Sequence, residues 1–215
     1  MTLPLFQSFG FIDKHDVMWC LGSLEEANPL LSRHHYLGAI RAGGARLVVM
    51  GYTGGEAVAC QVWRTPTSRR LPTDGTVLEL SRWCLTPAAG EYAGSRQHRY
   101  AVKLIRDLHP EVVTLVSYSD PSQGHTGSLY RAANWQWFPT WMRLRQPPSA
   151  GGAWSNGVKQ AVKDRWAFIL HPRRRHAWAW LLLDDPSAVK FWRANGQDFE
   201  RKWAANHPQL RESPT

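Results

Sequence analysis

The alternation of apolar and polar residues along the chain predicts several β-strands. Two β-branched runs, "ARLVVMGYT" at 45–53 and "EAVACQVWR" at 56–64, are joined by Gly54-Gly55, which predicts an antiparallel hairpin with a tight turn. A third strand is predicted at "TVLELSRWCL", 76–85, and a buried one at "EVVTLVSYS", 111–119. Two later strands are predicted at "WQWFPTWMRL", 135–144, and "DRWAFIL", 164–170.

Helical patterns separate these strands. The stretch "SLEEANPLLSRHHYLG" opens with Ser23 and Glu26, a capping-box pattern that satisfies the first free amides of a helix, and we expect that helix to end near His34–Tyr36. In "AGSRQHRYAVKLIRDLH", 93–109, apolar residues recur at i, i+3, i+4 and i+7, the spacing of an amphipathic helix. "GSLYRAAN", 127–134, predicts a third, short helix.

The order of elements predicts the fold class. Helix, hairpin, strand, helix, strand, helix, strand and strand imply an α/β protein with a mixed central sheet and helices on both faces. One parallel crossover in an otherwise antiparallel sheet would make the central strands splay where ligands enter. We expect a main domain over 1–170, interrupted by the loop "QPPSAGGAWSNG" at 146–157, and a basic, Trp-rich helical extension over 171–215 packed on it.

Composition narrows the choice of partner and compartment. The formal net charge of +9 favours an anionic partner such as nucleic acid, a phosphorylated cofactor or an acidic membrane. The three cysteines, Cys20, Cys60 and Cys84, form no CxxC pair, which is typical of a reducing compartment and argues against a disulfide framework or structural zinc. The longest apolar run, 177–183, is too short to span a bilayer, and no signal pattern is visible, so we expect a cytoplasmic protein without a membrane partner.

Polar side chains gather where the fourth predicted strand ends and the third helix begins. Asp120 follows a buried strand, the position at which splayed sheets bind ligands, although an Asp before Pro also commonly caps a loop. Tyr130 could direct its phenol into the same cleft and protonate a leaving group, or simply anchor the helix. Arg82 lies inside an apolar strand and needs an anionic partner, for which Asp120, Glu79 and a ligand are candidates. On a regular strand Arg82 points away from Glu79.

Histidines near both segments could complete a site. His34, His35 and Tyr36 are consecutive, so at most two of them can face one site, and only if the chain turns, as Gly38 allows. His125 could add a second imidazole and form, with Asp120, the two-His, one-carboxylate set that suits non-haem iron. Lone histidines are, however, more often hydrogen-bonded surface residues.

A DNA-binding surface is expected mainly in the C-terminal part. Arg173, Arg174 and Arg175, with Lys159 and Lys163 upstream, form the densest basic stretch, which could contact phosphates in a salt-sensitive way. Ser117 and Ser128 are further candidates for substrate contacts. Trp135, Trp137 and Trp141 alternate on one predicted strand and could stack a base, though an ordinary core is an equal alternative.

Motifs in a shared order resemble a known family. The Gly-turned hairpin, "VLELSRWCL", the helix after it and "SLYRAANW" resemble the GNAT fold of N-acyltransferases. Within that fold, "HHYLG" at 34–38, "ELSRW" at 79–83, "SYSDP" at 117–121 and "GHTGSLYRAANW" at 124–135 are similar to the Mom family of phage DNA-modification proteins.

The resemblance implies an enzyme. It would convert adenine in duplex DNA to N6-carbamoylmethyl (acetamido) adenine, protecting phage DNA from restriction in the host cytoplasm. The family's functional positions correspond to His35, Tyr36, Arg82, Asp120 and Tyr130, and its proposed iron would be held by His35, Tyr36 and Asp120. A coenzyme A thioester is the usual donor in this fold, but Glu91 between Gly90 and Gly94 would repel its pyrophosphate, which disfavours it.

Two other functions are compatible with the sequence. An acyl-CoA-dependent N-acetyltransferase acting on a small amine or a protein would bind coenzyme A and show salt-insensitive substrate affinity. A non-catalytic DNA-binding module would tolerate Asp120→Ala. The donor of the acetamido group is not identified by the sequence.

Overall fold

The computed structural model describes residues 10–41, 43–68, 71–138 and 163–170. The predicted loop at 146–157, the second half of the predicted strand at 135–144 and the extension at 171–215 lie outside the described residues. The division into 1–170 and 171–215 therefore stays a prediction. No helix in the described ranges is long and apolar enough to cross a membrane.

The described strands form one mixed sheet. They are β1 (Phe11–Ile12), β2 (Met18–Leu21), β3 (Ala45–Thr53), β4 (Glu56–Arg64), β5 (Val77–Leu85), β6 (Thr114–Ser119), β7 (Gln136–Phe138) and β8 (Asp164–Ile169). Their order in the sheet is β1-β2-β3-β4-β5-β6-β8-β7. Only β5 and β6 pair in parallel, and the other described pairs are antiparallel, as the predicted single crossover requires.

Three helices join these strands at the predicted places. They are α1 (Leu24–His34), α2 (Ala93–Leu108) and α3 (Ser128–Ala132). The capping box of α1 is present, because Ser23 accepts the Glu26 amide while the Glu26 carboxylate accepts the Ser23 amide. The hairpin turn at Gly54-Gly55 is also confirmed, since both residues have a positive φ, 58° and 85°.

The sheet separates two apolar cores, with helices on both faces as predicted. On one face α1 packs Ala27, Leu30 and Leu31 against Met50, Cys60 and Cys84. On the other, α2 covers a larger core that includes Val49, Trp63, Leu104, Leu115 and Trp166. The three cysteines are free thiols.

The strands β1 and β2 were not predicted. They are two and four residues long, too short for a periodic pattern to show. Their placement depends on tertiary contacts: β2 pairs with β3, and Asp13 accepts hydrogen bonds from the Trp19 indole and the Arg96 guanidinium.

A β-bulge at Ser81 decides where the middle of β5 points. Val62 pairs with Arg82 but Trp63 pairs with Leu80, which leaves Ser81 as the extra residue. Leu78 and Leu80 before the bulge, and Trp83 and Leu85 after it, all belong to the core beneath α2. The side-chain alternation therefore changes at Ser81. The expectation that Arg82 points away from Glu79 is wrong, because the bulge puts both on the α1 face.

The central strands separate immediately after this bulge. β5 pairs with β6 only from Val77–Thr114 to Leu80–Ser117. Beyond Leu80, β5 stays with β4, whereas β6 stays with β8 up to Ser119. The predicted cleft thus lies at the carboxyl ends of β5 and β6.

Candidate active site at the splayed strands

The chain turn after α1 brings His35 and Tyr36 to one place. α1 ends at His34, and His35 has an extended conformation with φ −113°. Gly38, with φ +63°, closes the turn by donating its amide to the His35 carbonyl at 2.7 Å. The His35 and Tyr36 rings stack with centroids 5.0 Å apart. The predicted turn at Gly38 therefore allows two neighbouring side chains to serve one site.

Tyr36 contacts residues from distant parts of the chain. The His125 ring lies edge-on, with centroids 5.3 Å apart, and the Lys163 ammonium is 5.9 Å from the Tyr36 ring centroid. Burial raises the pKa of Tyr36, the negative charge of Asp120 raises it further, and the Arg82 charge opposes both. Tyr36 is thus close to Asp120 and Arg82 and remains a neutral phenol near pH 7.

Asp120 lies at the end of β6 and is 6% exposed. Its backbone carbonyl accepts the amides of Gln123 at 3.0 Å and His125 at 3.4 Å, which folds the following loop back on itself. This loop returns His125 to the Tyr36 ring. A buried strand end with a buried carboxylate agrees with the placement predicted for Asp120.

The imidazole of His35 is neutral and its tautomer is determined by one hydrogen bond. Burial lowers the pKa of His35 to about 4, and the charges of Arg82, His125 and Lys163 act in the same direction. The Nδ1 atom accepts the Leu37 amide at 3.2 Å. The single ring hydrogen is therefore on Nε2, which can donate a hydrogen bond but has no lone pair to offer.

Arg82 reaches the turn after α1 rather than a carboxylate. Its Nε donates to the Gly38 carbonyl at 3.3 Å, and a terminal nitrogen donates to the Ser81 carbonyl at 2.8 Å. Glu79 accepts hydrogen bonds from Thr67, and Arg82 forms no ion pair with a carboxylate of the described residues. Burial lowers the pKa of Arg82. The expected partnership with Glu79 or Asp120 is replaced by backbone carbonyls.

Tyr130 closes the opposite side of the cleft. Its hydroxyl is 2.8 Å from the Ser117 hydroxyl, and its ring stacks on Trp166 at 5.1 Å and meets Trp83 edge-on at 5.5 Å. Burial raises the pKa of Tyr130 to about 12, so it is a phenol at neutral pH. The charge of an ionised Tyr36 would raise the pKa of Tyr130 further.

The remaining predicted site residues are distributed unevenly. Ser117 lies beside Tyr130, 1% exposed, and Ser128 is the exposed first residue of α3. Trp135 is 2% exposed and packs between Trp63 and Phe168, which favours the core alternative over base stacking. Four basic candidates lie outside the described residues: Lys159, Arg173, Arg174 and Arg175.

Sequence reasoning missed several contributors. Trp166 supports the Tyr130 ring and donates its indole hydrogen to Ser119 at 2.8 Å, but an alternating strand pattern does not distinguish it from any core Trp. Lys163 was expected only as a phosphate contact, yet it lies beside Tyr36. The Gly38 carbonyl that holds Arg82 had no sequence signal beyond its turn.

Nothing among the described residues supports the iron site that the resemblance implies. No three His, Cys, Asp or Glu side chains among them come together as a metal site. His35 has its hydrogen on Nε2 and its Nδ1 occupied by the Leu37 amide, and Tyr36 is held as a phenol. A metal ligand needs a free lone pair on imidazole and a deprotonated oxygen on tyrosine. Binding of iron by these two residues would therefore require the loss of the Leu37 hydrogen bond or the Nε2 hydrogen at His35, and of the phenol proton at Tyr36.

The loop before α2 is poorly suited to a coenzyme A pyrophosphate. Glu91 is exposed in the loop, and the Arg96 guanidinium is used by Asp13 and by the carbonyls of Ala89 and Glu91. Gly94 admits no cofactor group, because a Cβ there would meet Leu129 Cδ1 at 2.0 Å. The glycine serves helix packing, and the Arg96 guanidinium is already paired with Asp13.

The fold is the GNAT fold of N-acyltransferases. It is defined by the order of the strands, by the single parallel pair of β5 and β6 and by the cleft at the carboxyl ends of these two strands. A solved protein assigned as a phosphinothricin N-acetyltransferase superposes with a TM-score of 0.51 at 11% identity, covering 71% of this chain and 98% of its own. An assigned GNAT-family acetyltransferase from Chromobacterium violaceum gives 0.48 at 13% identity, covering 79% and 94%. One from Elizabethkingia anophelis, solved with acetyl-CoA bound, gives 0.42 at 13% identity, covering 71% and 97%.

The family is shown by sequence. The model of the Mom protein family matches residues 23–147, more than half of the 215 residues. This protein belongs to the Mom family. No curated protein matches the chain at a significant level.

Proposed function

We propose that this protein transfers a carbamoylmethyl group to the N6 amine of adenine in duplex DNA, as the family resemblance implies, and so protects phage DNA from restriction. The observation that carries the proposal is the convergence of separate chain segments at the ends of β5 and β6. Tyr36 contacts His125 in the loop after Asp120, Arg82 holds the Gly38 carbonyl, and Tyr130 contacts Ser117. Perturbed pKa values in a cleft are typical of a reaction centre. The net charge of +9 supports a polyanionic substrate.

The residues of the cleft have two roles: one accepts a proton and the others donate hydrogen bonds. Asp120 is the carboxylate that can take a proton from the adenine amine as nitrogen becomes bonded to carbon. His35 through Nε2–H, together with Arg82 and Lys163, supplies donors for an oxygen of the donor molecule. An adenine inside the base stack cannot reach this cleft, so the base must be extruded from the duplex.

The atoms and electrons of the transfer balance if the donor molecule belongs to one chemical class. This donor is a carbamoylmethyl compound with a leaving group on its methylene carbon. The bond from adenine N6 to that carbon forms, and the bond to the leaving group breaks with its electron pair. One N6 hydrogen passes as a proton to Asp120. No step requires a metal or coenzyme A.

Nucleoside analysis tests the proposal. We expect DNA from bacteria expressing the protein, digested to nucleosides, to contain a heavier deoxyadenosine detectable by mass spectrometry. Asp120→Asn should reduce its amount by about 100-fold, the usual contribution of a positioned base. Asp107→Asn is the matched control, because Asp107 is an exposed carboxylate of α2 whose ion pair is with Lys103 at the surface, and it should retain the product.

An unmodified nucleoside profile from soluble wild-type protein would contradict the proposal. The acyl-CoA-dependent N-acetyltransferase would then be the better hypothesis, and calorimetric titration with acetyl-CoA would be the next measurement. Unchanged modification by Asp120→Asn would remove Asp120 from the reaction.

A further inference from the structure

Ser117 bridges the two strands at the point where they separate. It forms the last parallel pair with Leu80, one residue before the bulge at Ser81. Its Oγ is 2.9 Å from the Leu80 carbonyl oxygen and 2.8 Å from the Tyr130 hydroxyl oxygen. Ser117 is 1% exposed, so its contact with Leu80 lies in the protein interior, whereas the contact with Tyr130 is only partly buried and borders the cleft.

These two contacts contain only two hydrogens, and their positions follow from the acceptors. A carbonyl oxygen has no hydrogen to donate, so the contact with Leu80 is a hydrogen bond only if the Ser117 hydrogen lies in it. A serine hydroxyl has one hydrogen. The hydrogen between Ser117 and Tyr130 must therefore come from Tyr130. The opposite arrangement would leave two oxygen lone pairs facing each other at 2.9 Å in a buried place.

We propose that Ser117 is a positioning residue that holds the Tyr130 hydroxyl hydrogen away from the cleft, so that Tyr130 meets the substrate amine as a hydrogen-bond acceptor. This inference rests on the proposed function, because it names how the amine is held. It replaces the proton-donor role that the sequence suggested for Tyr130.

The arrangement also limits where a proton can go. A proton arriving at Tyr130 could push the phenol hydrogen to Ser117, but the next atom is the Leu80 carbonyl, which cannot carry it further. The adenine amine has two hydrogens. One is held by the Tyr130 oxygen and the other is lost to Asp120, which orients the nitrogen lone pair for attack on the donor carbon.

Packing alone does not explain why Tyr130 and Ser117 carry hydroxyl groups. The Tyr130 ring already stacks on Trp166 and contacts Trp83 and Trp135, contacts that a phenylalanine would preserve. The high pKa of Tyr130 is caused by burial, and the hydrogen bond with Ser117 acts in the opposite direction. That lowering applies to the phenolate, toward which the Ser117 hydrogen can turn; beside the neutral phenol the Ser117 hydrogen is engaged by the Leu80 carbonyl.

Neutron diffraction of deuterated crystals tests the hydrogen positions directly. We expect deuterium on the Tyr130 oxygen directed at Ser117 Oγ, and deuterium on Ser117 Oγ directed at the Leu80 carbonyl. Deuterium on Ser117 Oγ directed at Tyr130 would overturn the inference. This measurement does not depend on activity, so it stays decisive even if no modified adenine is found and the proposed function fails.

A double-mutant cycle tests the functional consequence in the nucleoside assay. Ser117→Ala should lower the modified deoxyadenosine about tenfold or more, and Ser117→Thr, which keeps a hydroxyl on a β-branched residue suited to a strand, should restore much of it. In a Tyr130→Phe background, Ser117→Ala should cause no further loss, because Ser117 acts through the phenol.

Thermal unfolding of each variant separates a loss of activity caused by lost positioning from one caused by lost stability. Additive losses from Ser117→Ala and Tyr130→Phe at equal stability would overturn the positioning role, as would full activity of Ser117→Ala. If the wild type is active and the losses of the two variants add, only the positioning role is refuted. If the wild type is inactive, the proposed function is refuted.

Discussion

At the residue scale, the site is defined by protonation states as much as by residue types. The motifs identified His35, Tyr36, Arg82, Asp120 and Tyr130, and the structure brings them to one cleft. It also lowers the pKa of His35 and raises the pKa values of both tyrosines, because burial disfavours the charged form of each group. No sequence pattern carries that information, since desolvation depends on what surrounds each group.

A buried histidine outside the site leads to a prediction on acid stability. His98 is 4% exposed among Trp63, Trp83, Trp135 and Phe168, and burial lowers its pKa from 6.5 to about 3. Between these values the unfolded chain binds a proton that the folded protein refuses, so stability is present near pH 7 and is lost as the pH falls below 6.5.

Replacing His98 should remove part of this acid sensitivity. We expect the loss in the free energy of unfolding between pH 7 and pH 5 to be smaller by about 2 kcal/mol in His98→Met than in the wild type. Urea unfolding at both pH values measures it. His15→Met, at an exposed position, is the control and should leave the difference unchanged. An equal pH dependence in His98→Met would show that the imidazole is protonated without penalty.

At the element scale, local patterns predicted all three helices and six of the eight described strands. The capping box, the amphipathic spacing of α2 and the Gly-Gly turn are local signals, so they survive in a single sequence. The bulge at Ser81 was not predictable, because a bulge is a mismatch between two strands. It reverses the face of Arg82, and the geometry of the site depends on it.

The short helix α3 depends on tertiary contacts. It has five residues, too few to be stable alone, and it starts at Gly127 with φ +76°. A Cβ at Gly127 would meet the Trp166 ring at 2.0 Å. The Trp166 ring also stacks on Tyr130, so the start of α3 and the Tyr130 ring both pack against the same side chain.

Gly127→Ala should therefore destabilise the protein and displace Tyr130. We expect a loss of about 2–4 kcal/mol in the free energy of unfolding, from the positive φ and from overpacking against Trp166. Gly124→Ala is the control, because Gly124 also has a positive φ of 73° but nothing lies within 4 Å of its Cβ position, and it should lose only about 1 kcal/mol. Equal losses in the free energy of unfolding for the two variants would mean that Trp166 can move away from the new methyl group without an energetic cost.

At the scale of the whole molecule, charge is the property that bears on the substrate. The chain carries 26 Lys and Arg against 17 Asp and Glu, and Lys163 places one of these cations at the cleft. Contacts of Lys and Arg with phosphates release counterions, so they make binding strongly salt dependent.

Affinity for duplex DNA should consequently fall with salt. We expect a loss of about tenfold or more between 50 and 200 mM salt, and nearly equal affinity for two unrelated sequences, in fluorescence anisotropy titrations. Lys163→Gln should reduce the slope of log affinity against log salt by about one. Lys14→Gln, an exposed change near the β1 edge of the sheet, should not. Salt-insensitive binding, or no binding, would contradict a duplex DNA substrate.

The sequence by itself determined the order of elements, the basic character of the chain and the family motifs, because periodicity, capping and charge are properties of short segments. Only the tertiary structure decided the rest. The separation of β5 from β6, the reversal at Ser81, the tautomer of His35 and the direction of the Tyr130 hydrogen all depend on distances between residues far apart in the chain. Those distances are set by packing, so one sequence read alone cannot contain them.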